Sequence, residues 1–192
     1  NDFENAKKNL FKAIEINPQQ IEAYVSLGKL YSKLNLYEHE AGYYLQALEI
    51  NPNSDIANNN LAVVYINQGK LAEAKLLFEK VITLNPNSYK AFNNLGGIFL
   101  AEGDKDKAIS YFKKAIDLNP NYADAFRTLS NNIKFKKDNQ LILKMEKIFS
   151  DKDTDSKDKM LISFALGKAF SDIENYKLAF SYYETGNHIR KN

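Results

Sequence analysis

The sequence contains no cysteine, which excludes disulfide bridges and thiolate metal sites. Its two histidines, His39 and His188, are far apart in the chain, and surface positions are expected for both. Neither sign of charge dominates: 26 Lys and Arg stand against 24 Asp and Glu, a formal net charge of +2. That balance gives no general pull toward nucleic acid or an anionic membrane. No apolar run approaches the roughly 20 residues that a membrane-spanning helix needs, and no signal peptide opens the chain, so a cytoplasmic location is expected. Proline is scarce as well, with only four in 192 residues.

Those four prolines carry the organisation. They are Pro18, Pro52, Pro86 and Pro120, spaced 34 residues apart each time, and each follows an asparagine: Asn17, Asn51, Asn85 and Asn119. A period of this length marks a stack of repeated units. It also fits a pair of helices of about 13 residues each with two short turns, each helix about 20 Å long. With the closing proline at position 32, complete repeats run over 21–54, 55–88 and 89–122.

The first helix of each unit carries an apolar stripe: Tyr24, Leu27, Gly28 and Tyr31, then Leu61, Ala62 and Tyr65, then Phe92, Leu95, Gly96 and Phe99. The second helix carries Tyr44 and Ala47, then Ala74 and Phe78, then Ala108, Phe112 and Ala115. These i, i+3 and i+4 spacings give one buried stripe per helix. A leucine followed by a small residue lets the second helix approach closely, while the large side chains fill the space beside it. Gly69 and Gly103 fall at the turn between paired helices, where a positive φ is reached without strain; Asn35 takes that place in the first unit.

Period, small residues, aromatics and proline together resemble the tetratricopeptide repeat over residues 21–122. The resemblance implies an all-α, right-handed superhelical solenoid of about 11 helices, with a concave face built mainly from first helices. Residues 1–20 resemble half a repeat, with Ala6, Leu10, Ala13 and Pro18 in register. Residues 123–150 read as a divergent repeat. Its first helix carries Ala123, Phe126, Leu129 and Ile133; its second, expected from about 139 to 150, lacks the small and aromatic residues of the pattern. Residues 151–158 are expected to form a mobile charged loop, and 159–192 a terminal hairpin displaced from the 34-residue register. The chain opens at Asn1 on an unpaired half repeat, so it is expected to be cut from something longer and to self-associate through its exposed ends.

The terminal hairpin carries Phe164-Ala165-Leu166-Gly167-Lys168-Ala169-Phe170, Asn175-Tyr176, Ala179-Phe180 and Glu184-Thr185-Gly186-Asn187. Residues 139–191 resemble the junction of bacterial proteins that join tetratricopeptide repeats to a sulfotransferase domain. That resemblance implies a second reading, in which the chain is the non-catalytic arm of a bacterial sulfotransferase.

No residues point to catalysis, a cofactor or a metal. The pairs Gly28-Lys29, Gly69-Lys70 and Gly167-Lys168 lack the glycine five residues earlier that a phosphate loop requires, having Ala23, Val64 and Ile162 there. Lysines 134, 136, 137, 144 and 147 form a basic cluster, but one neighbouring aromatic, Phe135, is too little for nucleic-acid recognition. The chaperone-tail clamp of the family is met at two of five positions, by Asn60 and Lys90, so a chaperone's C-terminal carboxylate is not the expected ligand.

What remains is the groove that the resemblance implies. It includes Lys29, Asn59, Asn60, Val63, Lys90, Asn93, Asn94, Arg127 and Asn131. Side-chain amides offer both a donor and an acceptor and could pair with the backbone of an extended peptide. The same asparagines are also what the repeat's consensus supplies, and the sequence leaves both readings open. The expectation is a non-enzymatic scaffold that binds a protein, as a peptide or a helix, with no nucleic acid and no membrane.

Overall fold

The computed structural model describes residues 2–34 and 36–191. Among these residues there are eleven helices and no strand, forming an all-α helical repeat solenoid. The helices are α1 (Asp2–Ile16), α2 (Ile21–Ser32), α3 (Tyr37–Ile50), α4 (Asp55–Asn67), α5 (Leu71–Leu84), α6 (Tyr89–Ala101), α7 (Lys105–Leu118), α8 (Ala123–Asn132), α9 (Gln140–Ser150), α10 (Ser156–Asp172) and α11 (Tyr176–Lys191). The chain divides into two compact units, residues 1–87 and 88–192.

In the first unit α2 pairs with α3 and α4 with α5; α1 lies on α2, and α3 lies on α4. The recurrent Asn-Pro explains the spacing. The backbone N–H groups of Asn17 and Asn51 still donate to Ala13 and Ala47. Proline then pushes the preceding residue out of the helical region, and Asn51 sits at φ −135°, ψ 96°. The asparagine side chain turns the chain, Asn51 Oδ1 accepting from the Asn53 N–H at 2.9 Å and Asn17 Oδ1 from Gln19 at 3.1 Å. Asn85 and Asn119 repeat both features.

Leu61 and Val64 are buried in one cluster with Tyr44, and Leu27 and Phe78 are buried as well, each such apolar side chain stabilising the fold by about 1.5–3 kcal/mol. The small residue after the leucine has a clear steric cause. A Cβ added at Gly28 would come within 2.4 Å of the Tyr44 ring, and one at Gly96 within 2.5 Å of Phe112.

The turns between paired helices share one form. Gly69 has φ +74° and Gly103 has φ +86°. The Lys70 N–H donates to Tyr65 at 2.8 Å and the Asp104 N–H to Phe99 at 2.9 Å, the bond that closes a helix with a left-handed residue. Asn35, read as their counterpart, lies outside the described residues.

In the second unit α6 pairs with α7 and α10 with α11, and α8 packs against α7 and α10. Here the pattern 123–150 departs from a repeat, because α9 packs against α10 rather than forming the regular partner of α8. Ile133 is already extended at φ −119°, ψ 161°, which ends α8 one residue before the expected stripe does. The segment that follows is pinned: Phe135 is buried, and its N–H donates to Asp172 Oδ2 at 3.0 Å. Lys168 ion-pairs with the same carboxylate and donates to the Ile133 carbonyl at 3.2 Å.

The loop expected over 151–158 is shorter in the structure, because α10 starts at Ser156. Asp155 caps that start, its carboxylate accepting from the Asp158 N–H at 2.8 Å. Thr154 donates back to the Ile148 carbonyl at 2.8 Å, so the five-residue turn is tied at both sides.

Candidate functional site

The first-helix residues of the first unit converge on a cavity of about 270 Å³. Lys29 of α2 and Asn60 and Val63 of α4 line it with Ser32, Lys33, Glu40 and Tyr44. Asn59 Nδ2 donates to Asn60 Oδ1 at 3.5 Å. The other ends of the two amides, Asn59 Oδ1 and Asn60 Nδ2, are withdrawn from water and meet no partner. Leaving a buried polar group unpaired costs about 1–3 kcal/mol.

Glu40 is the residue that sequence reasoning missed. It occupies repeat position 20, which Ala74, Ala108 and Ala179 hold elsewhere, and it is only 4% exposed. Burial pushes its carboxyl above the usual range, an effect partly offset by hydrogen bonds with Ser32 and Tyr44. Burial, the Glu40 charge and the hydrogen bond to it push the Tyr44 phenol up in turn. One oxygen, Oε2, has no partner. The signal lay in the register: a glutamate where the other two complete repeats and the terminal hairpin place alanine.

The second unit holds a larger cavity, about 490 Å³, between α8, α10 and α11. Arg127 and Asn131 line it, as expected of groove residues, together with Lys168 and Arg190 and an apolar wall that includes Met160, Phe164 and Tyr183. Arg127 Nε is withdrawn from water without a partner. Sequence reasoning passed over the contribution of α11, because second helices were not read as groove-forming.

The remaining groove candidates behave differently. Asn93 is 91% buried by its 9% exposure, and its Oδ1 accepts from Thr128 Oγ1 at 3.0 Å. That bond braces α6 against α8. Asn94 is half-buried and Lys90 exposed, with the Lys90 ammonium 5.9 Å from the Tyr89 ring centre. Asn59, Lys90, Asn93 and Asn94 line neither of the two cavities.

His39 stacks on Tyr31 with ring centres 5.3 Å apart, and the lysines at 134, 136, 137, 144 and 147 are exposed. Among the described residues no group of three or more His, Cys, Asp or Glu could hold a metal ion, and no helix is long and apolar enough to cross a membrane.

Two family models described as tetratricopeptide repeat match the chain, one over residues 21–54 and the other over 59–123. The comparison with curated proteins returns no match. Among solved structures, the chain is similar to Pseudomonas aeruginosa pilF, with a TM-score of 0.71 and 23% identity over 94% of this chain and 81% of that one. It is similar to YrrB, described as a TPR protein with an unusual peptide-binding site, with a TM-score of 0.60 and 20% identity over 95% and 93%. The first TPR of Spaghetti (RPAP3), bound to the HSP90 peptide SRMEEVD, gives a TM-score of 0.56 and 22% identity over 59% and 90%. The resemblance of residues 139–191 to a sulfotransferase junction finds no counterpart in these matches.

Proposed function

Because residues 21–54 and 59–123 are tetratricopeptide repeats, we propose that this chain is a non-catalytic protein-interaction scaffold that takes an extended peptide or a helix on its first helices. The observation that carries this reading is the pair Asn59 and Asn60. Each amide has one end bonded to the other and one end without a partner, beside a cavity with an apolar wall in Val63 and Tyr44. A peptide backbone offers the N–H and C=O that such ends lack; both ends are shielded in the free chain, so the amides turn outward when it binds. Pairing through the backbone supplies affinity, and the adjoining cavity of the first unit supplies selectivity. YrrB, with its unusual peptide-binding site, and the Spaghetti complex with an HSP90 peptide support the same class of partner.

The test is capture of a partner from native lysate by the wild-type chain and by an Asn60→Ala/Asn94→Ala variant. Capture by the wild type and loss in the variant is the expected result. Equal capture by both refutes the asparagine groove and moves the contact elsewhere. A second property has its own support. Tyr176 and Phe180, one turn apart on α11, are 66% and 69% exposed, and this patch is expected to drive self-association. Light scattering should show mass rising with concentration; a strict monomer at high concentration would rule this out.

A further inference from the structure

We infer that the cavity between α8, α10 and α11 binds an internal acidic stretch of a partner, with two or more carboxylates around an apolar side chain. This rests on the scaffold reading above and adds the chemistry of the segment bound.

Three helices each bring a cation to this cavity: Arg127 from α8, Lys168 from α10 and Arg190 from α11. No carboxylate lines it. Lys168 is already committed to Asp172 and to the Ile133 carbonyl, which fixes its position, offsets its charge and leaves one of its three N–H donors for a ligand; the uncompensated charge is that of Arg127 and Arg190. Arg127 and Arg190 are in no ion pair among the described residues, and Arg127 Nε has no hydrogen-bond partner. The planar guanidinium groups suit carboxylates well, because two parallel N–H donors match two oxygens. The wall between the cations is apolar, with Met160, Phe164 and Tyr183 half-buried, so it fits an apolar side chain flanked by charges.

The spread of the cations separates a stretch from a single terminal carboxylate. A Cβ at Gly167 would meet the Tyr183 ring at 2.7 Å, and one at Gly186 would meet Phe164 at 3.2 Å. Helix α11 therefore runs antiparallel to α10, and Arg190, one turn beyond Gly186, falls toward the Met160 end. Met160 and Lys168 are eight residues apart on α10, about 12 Å along its axis. An extended peptide covers that distance in roughly three to four residues. One terminal carboxylate reaches one end of such a row; alternating acidic side chains reach all of it.

The experiment uses the full chain and fluorescent octapeptides, acetylated and amidated, in which Glu alternates with Leu or Phe. Counterparts carry Gln or Lys in place of Glu, and one version has a free C-terminal carboxylate with Gln inside. Anisotropy titrations are run at low and high salt. The Glu peptides are expected to bind at least tenfold more tightly than the Gln peptides and to weaken with salt. The Lys peptides should not bind. Arg127→Gln/Arg190→Gln is expected to lose about tenfold for the Glu peptides, the size of one charge-assisted contact, with unchanged helicity. Equal binding of Glu and Gln peptides overturns the inference, as does a double variant that keeps the Glu preference. Tighter binding of the peptide with the free carboxylate, or equal competition by a single-stranded oligonucleotide, also overturns it. Failure here alongside a lysate partner lost in Asn60→Ala/Asn94→Ala leaves the scaffold reading standing. Tight Glu-peptide binding through Arg127 and Arg190 with no effect of the asparagines removes the asparagine groove and keeps this cavity.

Discussion

Replacing Glu174 by glycine should stabilise this protein, although Glu174 lies on the surface. Its φ is +63°, in the left-handed region that costs a residue with a Cβ about 1–2 kcal/mol. It sits where Gly69 and Gly103 sit in their own repeats, and the hydrogen bonds are the same. The Glu174 N–H donates to Ser171 at 3.1 Å and the Asn175 N–H to Phe170 at 2.9 Å. Glycine removes the conformational strain but gains freedom in the unfolded chain, worth about 0.4–1 kcal/mol. The net expectation is a gain of about 0.5–1 kcal/mol, or about 1–4 °C in Tm for a chain of this size.

The reverse changes isolate the cause. A Cβ at Gly69 or Gly103 would meet nothing within 4 Å, so Gly69→Ala and Gly103→Ala carry only the backbone effect. Each should destabilise by about 0.5–1 kcal/mol. Glu174→Ala keeps the Cβ and loses only the exposed carboxylate, so it should be nearly neutral. Urea unfolding followed by circular dichroism measures all four. Gly69→Ala and Gly103→Ala destabilising while Glu174→Gly gives no gain would refute the reasoning for residue 174; no change in any of them would refute it for the whole family of turns.

Neighbouring glycines of α6 should respond with opposite signs: Gly96→Ala meets the Phe112 ring and should destabilise by about 1–3 kcal/mol, whereas exposed Gly97 has nothing within 4 Å of its Cβ position and Gly97→Ala should stabilise by up to about 1 kcal/mol, both read from urea midpoints. Burial acts to raise the Asp172 carboxyl, but the hydrogen bonds from Lys168 and the Phe135 N–H, together with the Lys168 and Lys134 charges, outweigh it and hold it below the usual range. Its contribution is therefore present above the unfolded value of about 3.9 and lost as pH falls through the lower folded value; Asp172→Asn should remove about 1 kcal/mol at neutral pH, discounted for the 30% exposure of Lys168, and flatten acid unfolding followed by circular dichroism. Glu40 has the opposite sign: its raised carboxyl makes the charged form unfavourable in the fold, so stability declines as pH rises from the unfolded value through the folded one. Glu40→Gln should be more stable than the wild type at about pH 8, with the difference vanishing near about pH 4; an equal difference at both would show that charge is not the cause.

The regular part of the fold was legible because its causes are local. Asn-Pro ends a helix through backbone sterics and turns the chain through the asparagine side chain, and both effects act within three residues. Gly28 and Gly96 were legible because an aromatic stands at one fixed distance down the sequence. The region from Ile133 to Asp155 was less so, because its determinants are distant. Phe135 is held by Asp172 and Ile133 by Lys168, and no periodicity links residues so far apart. The helix start at Ser156 was hidden for another reason. The run from Asp151 is polar enough to read as loop, yet Asp155 is a helix cap, and acidic residues favour a helix N-terminus.

The candidate site shows why register reveals more than residue type. Asn59 and Asn93 occupy the same place in successive repeats and looked equivalent as groove residues. Asn93 has Thr128 within reach and gives its acceptor to that hydroxyl, so it braces two helices. Asn59 bonds only to the adjacent Asn60 and keeps an acceptor without a partner. Sequence supplied the amide in both cases; the neighbouring side chain decides whether its acceptor finds a partner inside the protein. The same logic turns around at Glu40 and Glu174. Each breaks the pattern its own repeat position sets, one by placing a carboxylate where alanine packs and the other by placing a Cβ where glycine turns. Deviations of this kind destabilise a repeat locally, and in Glu40 the deviation lies on the wall of the cavity that Lys29, Asn60 and Val63 share.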